Sequence, residues 1–329
     1  MSRTIKSISK FLLFCTFIMC STDYLYSFPP RETDVVVATD GSGDYRSLQE
    51  AIDNTKSFPY QRITIRVKNG IYKEKVKIYE WNTNLSIIGE DPKETIIVYD
   101  DYFDKIDKGR NSTFHTPTLL VEASGTILKN LRILNTAGAV GQAIALSITA
   151  NKVKVENCAI IGHQDTVYLS GAYNKIYFKN CTIEGNTDFI FGQATAVFEN
   201  CLIHSVSGSY ITAASTPKGV DYGFVFIGCT LTGSENSKGV YLGRPWRYYA
   251  KTVFINTHMG KHINPKGWHD WNKPKSHKNS FYAEYNSTGP GAHADQRVPW
   301  SYQLTKSQLS NYTLESILTS NNDNNWYLH

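Results

Sequence analysis

Short apolar stretches alternate with polar turn residues through the middle of the chain. β-branched and aromatic side chains dominate stretches such as residues 175–178, 196–199 and 223–227, and Gly, Asn or Ser separate them. Such stretches are typical of strands and turns. None is followed by the ten or more residues of amphipathic periodicity that a leucine-rich or βαβ repeat requires. The pattern therefore predicts an all-β coil of strands.

One short sequence motif recurs at unequal intervals between residues 125 and 257. Aligned positions lie 20 to 28 residues apart, which suits one short supersecondary unit for each copy. Stacked units bury an interior that no single unit could bury alone, so we predict a parallel β-helix. The copies are LKNLRI, VENCAI, FKNCTI, FENCLI, FIGCTL and FINTHM, aligned at Leu131, Cys158, Cys181, Cys201, Cys229 and Thr257.

Asparagine and cysteine recur at fixed places in this phrase. Stacked asparagines can form a hydrogen-bonded ladder or serve ordinary turns, and we expect a structural role for them. Stacked cysteines would lie about 4.8 Å apart, within the Cα separation that disulfides accept. Pairing of Cys158 with Cys181 and of Cys201 with Cys229 is one prediction, and a column of reduced, buried thiols is the other. The asparagines are Asn130, Asn157, Asn180, Asn200 and Asn256.

The segments that flank the repeat have different patterns. Residues 47–54 have helical periodicity, with Leu48, Ala51 and Ile52 on one face, and predict a short N-terminal helix that caps the open end of the coil. After Trp268 the composition turns polar, so the C-terminal segments are expected to pack outside the coil. We predict one catalytic domain, residues 28–329.

The first 27 residues read as a signal peptide. Arg3, Lys6 and Lys10 form a basic start, and residues 11–20 form an apolar run of ten. That run is too short for a transmembrane helix, which needs about 20 apolar residues. We therefore expect a secreted protein, extracellular or in a cell wall, that is not held in a membrane.

Composition narrows the classes of function that remain possible. The 329 residues carry a formal net charge of +5, and no basic stripe with interleaved aromatics favours nucleic-acid binding. No cofactor-binding motif and no dense cluster of acidic residues stands out, so we expect a protein that needs neither cofactor nor metal. We also expect the protein to be a monomer. Glycosylation sequons occur at Asn84, Asn111, Asn286 and Asn311.

The repeat places two carboxylates together. Asp165 follows Cys158 by seven residues, and Asp188 follows Cys181 by seven, so their backbones should lie about 5 Å apart. Two carboxylates this close do not both ionise easily, so one keeps its proton and the other stays charged. The pair predicts an acid and a nucleophile, although a structural aspartate ladder or a calcium site would show the same spacing.

The neighbourhood of the aspartates favours chemistry on a sugar ester. Gln164 precedes the first aspartate, Gln142 lies one coil earlier, and both offer amide donors. Arg244 offers a fork of donors that holds an ionised carboxylate. Aromatic side chains expected to flank a groove are Tyr168, Phe191, Trp246 and Trp268.

Five phrases in order make the chain resemble the plant pectin methylesterases. They are GIYKE at 70–74, GQAIAL at 141–146, QDTVY at 164–168, DFIFG at 188–192 and LGRPW at 242–246. The resemblance implies a right-handed parallel β-helix that hydrolyses the C6 methyl esters of homogalacturonan. It also implies methylated pectin, and an inhibitor protein, as partners. The chain looks like the short form, without the inhibitor-like region of many relatives.

The resemblance also implies a role for each site residue. Asp188 would be the nucleophile, and Asp165 would protonate methanol and then activate water. Gln142 and Gln164 would donate to the oxyanion, and Arg244 would orient Asp188. The aromatic side chains would bind substrate.

The chain departs from the common plant pattern in three places. Gly141 stands where a His is usual, Gln193 replaces an Asn, and residues 212–216 read TAAST in place of a TAQGR-like phrase. Two other hypotheses stay open, namely a β-helix enzyme that cleaves the pectin backbone and a relative that binds wall polysaccharide without turnover.

Overall fold

The computed structural model describes residues 33–273, 275–319 and 325–328, and the predicted signal peptide lies outside them. Residues 33–329 group as one compact unit. No helix of the described ranges is long and apolar enough to cross a bilayer. The strands in chain order are β1 (Asp34–Val37), β2 (Ile63–Val67), β3 (Gly70–Lys73), β4 (Val76–Ile78), β5 (Leu85–Gly89), β6 (Thr95–Tyr99), β7 (Leu119–Val121), β8 (Ile127–Lys129), β9 (Arg132–Asn135), β10 (Leu146–Ile148), β11 (Val153–Glu156), β12 (Ala159–Ile161), β13 (Val167–Leu169), β14 (Lys175–Lys179), β15 (Thr182–Gly192), β16 (Thr195–Glu199), β17 (Leu202–Ala214), β18 (Phe224–Ile227), β19 (Thr230–Gly233), β20 (Tyr241–Gly243), β21 (Lys251–Ile255), β22 (His258–Met259), β23 (Phe281–Tyr285) and β24 (Tyr302–Gln303).

Helices are few and short. The α-helices are α1 (Leu48–Asp53), α2 (Phe103–Ile106) and α3 (Leu314–Leu318), and the 3₁₀ helices are Gly109–His115, Ser276–Lys278, Ala294–Gln296, Lys306–Tyr312 and Trp326–Leu328. The predicted capping helix is confirmed as α1, which buries Leu48, Ala51 and Ile52. The Glu74 carboxylate accepts hydrogen bonds from the Leu48 and Gln49 N–H groups at its start, so this residue of the GIYKE phrase caps the helix.

Every strand pair runs parallel and joins strands from successive coils. One face follows the order β1-β2-β5-β8-β11-β14-β16-β18-β21-β23-β24. The other strands form two further faces, joined where β15 and β17 bend around the corner. This arrangement confirms the predicted parallel β-helix.

The repeat sets the register of the coils. Arg132, Ala159, Thr182, Leu202, Thr230 and His258, each one residue after an aligned repeat position, are paired in succession. Inside the coil the Phe198 ring stacks on Phe178 and Phe226 at centroid distances of 4.8 and 4.5 Å, which continues the core from coil to coil.

The asparagines of the repeat occupy left-handed turns. Asn157 donates to the Asn130 side chain at 2.8 Å, and Asn286 donates to Asn256 at 2.9 Å. Asn is one of the residues that tolerate positive φ, and Gly228 takes the same place in its coil. The turn positions of successive coils have φ between 50° and 64°, and they are Asn84, Asn130, Asn157, Asn180, Asn200, Gly228, Asn256 and Asn286. The structural role predicted for Asn130, Asn157, Asn180, Asn200 and Asn256 is confirmed.

The four cysteines of the repeat are buried and free, which corrects one prediction. The pairing of Cys158 with Cys181 and of Cys201 with Cys229 is absent among these residues, and the column of thiols is present. Each thiol hydrogen-bonds to a backbone carbonyl within the stack, such as Cys229 to Phe198 at 3.2 Å. Burial raises the pKa of the Cys201 thiol well above its ordinary value, which keeps it protonated.

The C-terminal segments pack outside the coil, as predicted, apart from β23 and β24, which add two more strands to the first face. Ile317, Leu318 and Tyr327 cover an outer surface that includes Val197 and Val225. These segments protect apolar side chains that the strand alternation leaves outside the core.

Candidate active site

Asp165 and Asp188 hold matched positions in neighbouring coils. Val167 and Ile190 are paired in adjacent parallel strands, and each aspartate lies two residues before one of these partners. The Asp165 N–H donates to the Thr187 carbonyl at 3.0 Å. Both aspartates have positive φ, 63° and 49°, a conformation uncommon outside glycine that clusters at functional sites.

Arg244 holds Asp188 through two hydrogen bonds. Its Nε donates to one carboxylate oxygen at 2.9 Å, and its Nη2 donates to the other at 2.6 Å. The guanidinium lies between two rings, 3.9 Å from the Tyr210 centroid and 3.7 Å from that of Trp271. This sandwich fixes the fork in one orientation, which in turn fixes the Asp188 carboxylate.

The two carboxyl groups have different neighbours, because only Asp188 is hydrogen-bonded to Arg244. Burial, and then the charge of Asp188, raise the pKa of Asp165 well above its usual range. Burial also raises the pKa of Asp188, but the hydrogen bonds and charge of Arg244 oppose that rise. Asp188 therefore ionises first, and Asp165 keeps its proton.

Gln142 and Gln164 lie side by side in a parallel bridge at the same cleft. The Ala143 N–H donates to the Gln164 carbonyl at 3.1 Å, which holds the two backbones together. Within the described ranges neither side-chain amide has a hydrogen-bond partner, so their N–H groups remain available to a ligand.

The aspartates open into a cleft of about 320 Å³. Phe114, Phe191 and Trp246 line it and belong to an aromatic row, in which Tyr168 packs between Phe114 and Phe191 without lining the cleft itself. The ring centroids are 5.0 Å apart from Phe114 to Tyr168, 4.8 Å from Tyr168 to Phe191 and 5.9 Å from Phe191 to Trp246. Such a surface suits the apolar faces of sugar rings. The cleft is lined by Arg110, Thr113, Phe114, Gln142, Gln164, Asp165, Asp188, Phe191, Ala213, Arg244, Trp246 and Trp271.

Trp268 is a correction to the predicted substrate-binding set. Its side chain is 1% exposed, and its ring stacks on Tyr282 at 4.5 Å in the core. The bridge between Gly243 and Trp268 continues the sheet here and turns the indole inward. Trp271, three residues later, lines the cleft in its place.

Sequence reasoning missed six residues of this site, one of which is Ala213 in the TAAST phrase. Arg110, Thr113 and Phe114 come from the 3₁₀ helix Gly109–His115, which lies outside the repeat and gave no signal. Trp271 lies C-terminal to the TAAST and LGRPW phrases and belongs to neither, so no motif pointed to it. Tyr210 is aligned with Thr187, so the register of the repeat could have identified it.

Two of the three departures from the plant pattern lie beside the site, whereas Gln193 is not among the residues that line the cleft. A Cβ on Gly141 would meet nothing within 4 Å, so the usual His side chain is replaced by open space beside Gln142. In the TAAST phrase, Ala213 lines the cleft, whereas the buried Thr216 hydroxyl accepts a hydrogen bond from the Lys251 N–H. The described residues contain no group of three or more acidic, His or Cys side chains arranged to hold a metal ion.

Fold and site together define a parallel β-helix enzyme with a two-aspartate centre. The family model described as Pectinesterase matches residues 34–321. The chain belongs to the pectinesterase family and is a carboxylic ester hydrolase.

Individual relatives agree with this assignment over most of the chain. The chain is 35% identical to Pectinesterase 31 of Arabidopsis thaliana over 300 residues, which cover 89% of this chain and 94% of that one. A carrot pectin methylesterase structure is 32% identical, with a TM-score of 0.81, covering 86% and 92% of the two chains. A pectin methylesterase solved with a hexasaccharide is 27% identical, with a TM-score of 0.75, covering 86% and 96%. These likenesses confirm the predicted right-handed parallel β-helix.

Proposed function

We propose that this chain hydrolyses the C6 methyl esters of homogalacturonan through a covalent aspartyl intermediate. The observation that carries the proposal is the asymmetry of the aspartate pair. Asp188 is ion-paired with Arg244 at 2.6 Å, whereas Asp165 is buried beside it without a cation. One carboxylate is thus ready to attack, and one carboxylic acid is ready to donate a proton.

In the first half-reaction, the Asp188 carboxylate attacks the ester carbonyl carbon. The amides of Gln142 and Gln164 donate to the oxyanion that forms, a contribution worth roughly 2.7–4 kcal/mol per donor in other acyl-transfer enzymes. When the tetrahedral species collapses, the bond to the methoxy oxygen breaks. Asp165 gives that oxygen its proton, so methanol leaves and an anhydride joins Asp188 to the sugar.

In the second half-reaction, Asp165 acts as the base. It is now ionised and takes a proton from water, whose oxygen attacks the galacturonate carbonyl carbon of the anhydride. Cleavage of the anhydride releases the sugar carboxyl group and returns Asp188 to its ionised state beside Arg244. Asp165 has regained the proton it gave to methanol.

The aromatic row gives the polymer a surface on both sides of the aspartates. Phe114, Tyr168, Phe191 and Trp246 are proposed to pack against successive sugar rings, and Trp271 is proposed to close the cleft beside Arg244. The hexasaccharide complex of the 27% identical relative supports an extended carbohydrate ligand for this cleft.

We also propose that residues 1–27 direct export and that residues 28–329 act as a monomer in the cell wall. Methylated homogalacturonan would be the substrate, and an inhibitor protein is a further proposed partner. The glycosylation sequon at Asn111 lies on the exposed part of the 3₁₀ helix beside the cleft.

Methanol release and chain length, measured together, test the proposed function. The purified protein is incubated with highly methylated pectin, with and without a chelator. We expect methanol to be released, the polymer to keep its length, and the chelator to change neither result. Shortening of the chain without methanol would favour a backbone-cleaving enzyme, and binding without either product would favour a non-catalytic relative.

A further inference from the structure

One imidazole nitrogen contacts both residues whose rings hold Arg244. The Nδ1 atom of His269 accepts a hydrogen bond from the Trp271 N–H at 3.2 Å. The Tyr210 hydroxyl lies 3.4 Å from the same nitrogen. Because a backbone N–H only donates, Nδ1 carries the lone pair, and the Tyr210 hydroxyl therefore donates to it as well. A single acceptor thus joins the two sides of the sandwich around the guanidinium.

The backbone and ring of His269 are both fixed beside Arg244. Its N–H donates to the carbonyl of Gly243, the residue that precedes Arg244, at 3.1 Å. Its ring packs against Tyr210 and Tyr241 at centroid distances of 5.5 and 5.2 Å. The side chain is not among those that line the cleft, so any effect on the aspartate pair passes through its neighbours.

The backbone of Trp271 has a conformation that needs a restraint. Trp271 and Asn272 have φ of 60° and 53°, and positive φ is unfavourable for a bulky residue such as tryptophan. Strained backbone of this kind persists only where the surrounding structure holds it. The hydrogen bond from the Trp271 N–H to the side chain two residues earlier has the pattern of an Asx turn, with an imidazole nitrogen in place of the usual oxygen.

We propose that His269 is a positioning residue for Arg244. Its Nδ1 atom holds Tyr210 and Trp271 against the guanidinium, and the guanidinium in turn fixes the Asp188 carboxylate. The inference rests on the proposed function and adds to it a residue that touches neither substrate nor the reacting atoms. Loss of the acceptor lets the two rings move apart, so the guanidinium fork loosens and the charged form of Asp188 is stabilised less.

Three variants separate the acceptor from the rest of the segment. H269A removes the ring and the acceptor, whereas H269N restores an oxygen at the same number of bonds from the backbone, in the residue type that Asx turns favour. D270A is the matched control, because Asp270 accepts a hydrogen bond of the same kind from the Asn272 N–H at 2.9 Å and does not line the cleft. Thermal unfolding of each variant checks that it is folded.

Methanol release from methylated pectin measures the effect of the acceptor on turnover. We expect kcat/KM to fall about tenfold in H269A and to stay within about threefold of the wild type in H269N and D270A. A loss in D270A as large as that in H269A would overturn the proposal, because any loosening of the segment would then be enough.

The acid limb of the kcat/KM profile reports on Asp188 itself. Neither alanine nor asparagine titrates, so H269A and H269N differ in the acceptor and not in charge. The limb should lie at higher pH in H269A than in H269N, because a loosened Arg244 lowers the pKa of Asp188 less. Equal rates and equal limbs in these two variants would contradict the proposed role.

Amide hydrogen exchange at Trp271, followed by NMR, tests the same contact without any chemistry. The amide should exchange about tenfold faster in H269A than in the wild type, and H269N should keep its protection. Exchange at the wild-type rate in H269A would show that His269 does not hold Trp271. If the wild type releases no methanol, the proposed function fails, while the exchange rates still decide whether this contact restrains Trp271.

Discussion

At the scale of single residues, the site depends on the unequal environments of two aspartates. Asp165 and Asp188 lie in equivalent turns, and both are buried. The difference between them comes from Arg244, whose guanidinium is clamped between Tyr210 and Trp271. A single cation on one side of a symmetric pair is enough to assign the two protonation states.

Replacement of Arg244 should change the pH dependence of the enzyme. Arg244 favours the charged form of Asp188, so R244A raises the pKa of Asp188, and less of this proposed nucleophile is ionised at any given acidic pH. The acid limb of the kcat/KM profile should therefore move to higher pH. R244K keeps a positive charge but loses the fork, and we expect about a 10²-fold loss of activity with a smaller shift of the limb. An acid limb at the wild-type position in R244A would contradict this account.

Trp268 and Trp271 should respond differently to truncation. W268A removes a fully buried ring and should lower the free energy of unfolding by about 3–5 kcal/mol. W271A removes a ring from the cleft and from Arg244, so it should lower kcat/KM with a smaller loss of stability. Urea unfolding and methanol release measure the two effects. The same pattern in both variants would show that the assignment of core and cleft is wrong.

The repeat predicted the positions of the two aspartates, and the recurring family phrases predicted Gln142, Gln164 and Arg244. The residues of the 3₁₀ helix Gly109–His115 were not predicted. Asp165 and Asp188 could be placed by counting from one coil to the next. Trp268 and Trp271 could not be told apart, because both are aromatic and only the bridge to Gly243 decides which ring turns inward.

At the scale of elements, the left-handed asparagine turns set the corners of the coils. Asn157 has φ of 51° and donates to Asn130 at 2.8 Å. Its side chain thus donates a hydrogen bond to the neighbouring coil, while its backbone forms the left-handed turn.

Substitution of Asn157 should separate these two contributions. N157A loses the hydrogen bond and strains the left-handed backbone, and we expect a loss of about 2 kcal/mol in the free energy of unfolding. N157G loses the same hydrogen bond but accepts positive φ, so it should lose only about half as much. Urea unfolding of the two variants measures the difference. A glycine variant no more stable than the alanine variant would mean that backbone strain contributes little here.

The elements that sequence reasoning missed are those that interrupt the repeat. Strands and the helix α1 followed from alternation, turn residues and helical periodicity. The 3₁₀ helix Gly109–His115 lies on an excursion between two coils, so no periodic signal placed Arg110, Thr113 or Phe114 beside the aspartates. The cysteine spacing was compatible with disulfides and with free thiols alike, and only the structure distinguished the two.

At the scale of the whole molecule, buried His262 should make folding sensitive to acid. Burial, with a smaller contribution from the charge of His204, lowers the pKa of His262 to about 4 from 6.5. Below pH 6.5 the unfolded chain binds a proton at His262, whereas the folded chain does not bind it until the pH is near 4. The contribution of neutral His262 to the free energy of unfolding is therefore fully present above pH 6.5 and is lost as the pH falls towards 4. We expect the loss to reach about 1–2 kcal/mol, with allowance for solvent screening.

The H262Q variant isolates that contribution from those of the carboxylates. Urea unfolding at pH 7 and at pH 4.5 gives the change in stability for the wild type and for the variant. The change should be smaller in H262Q by about 1–2 kcal/mol, because glutamine does not titrate. Equal changes in the free energy of unfolding in the two proteins would show that His262 does not cause the sensitivity to acid.

The most direct measurement of the central claim is methanol release by the D188A variant. This substitution removes the proposed nucleophile and leaves the aromatic row in place, so methanol release from highly methylated pectin should fall by about 10⁴-fold or more while the variant stays folded and still binds polymer. Release close to the wild-type rate from folded D188A would contradict the covalent mechanism.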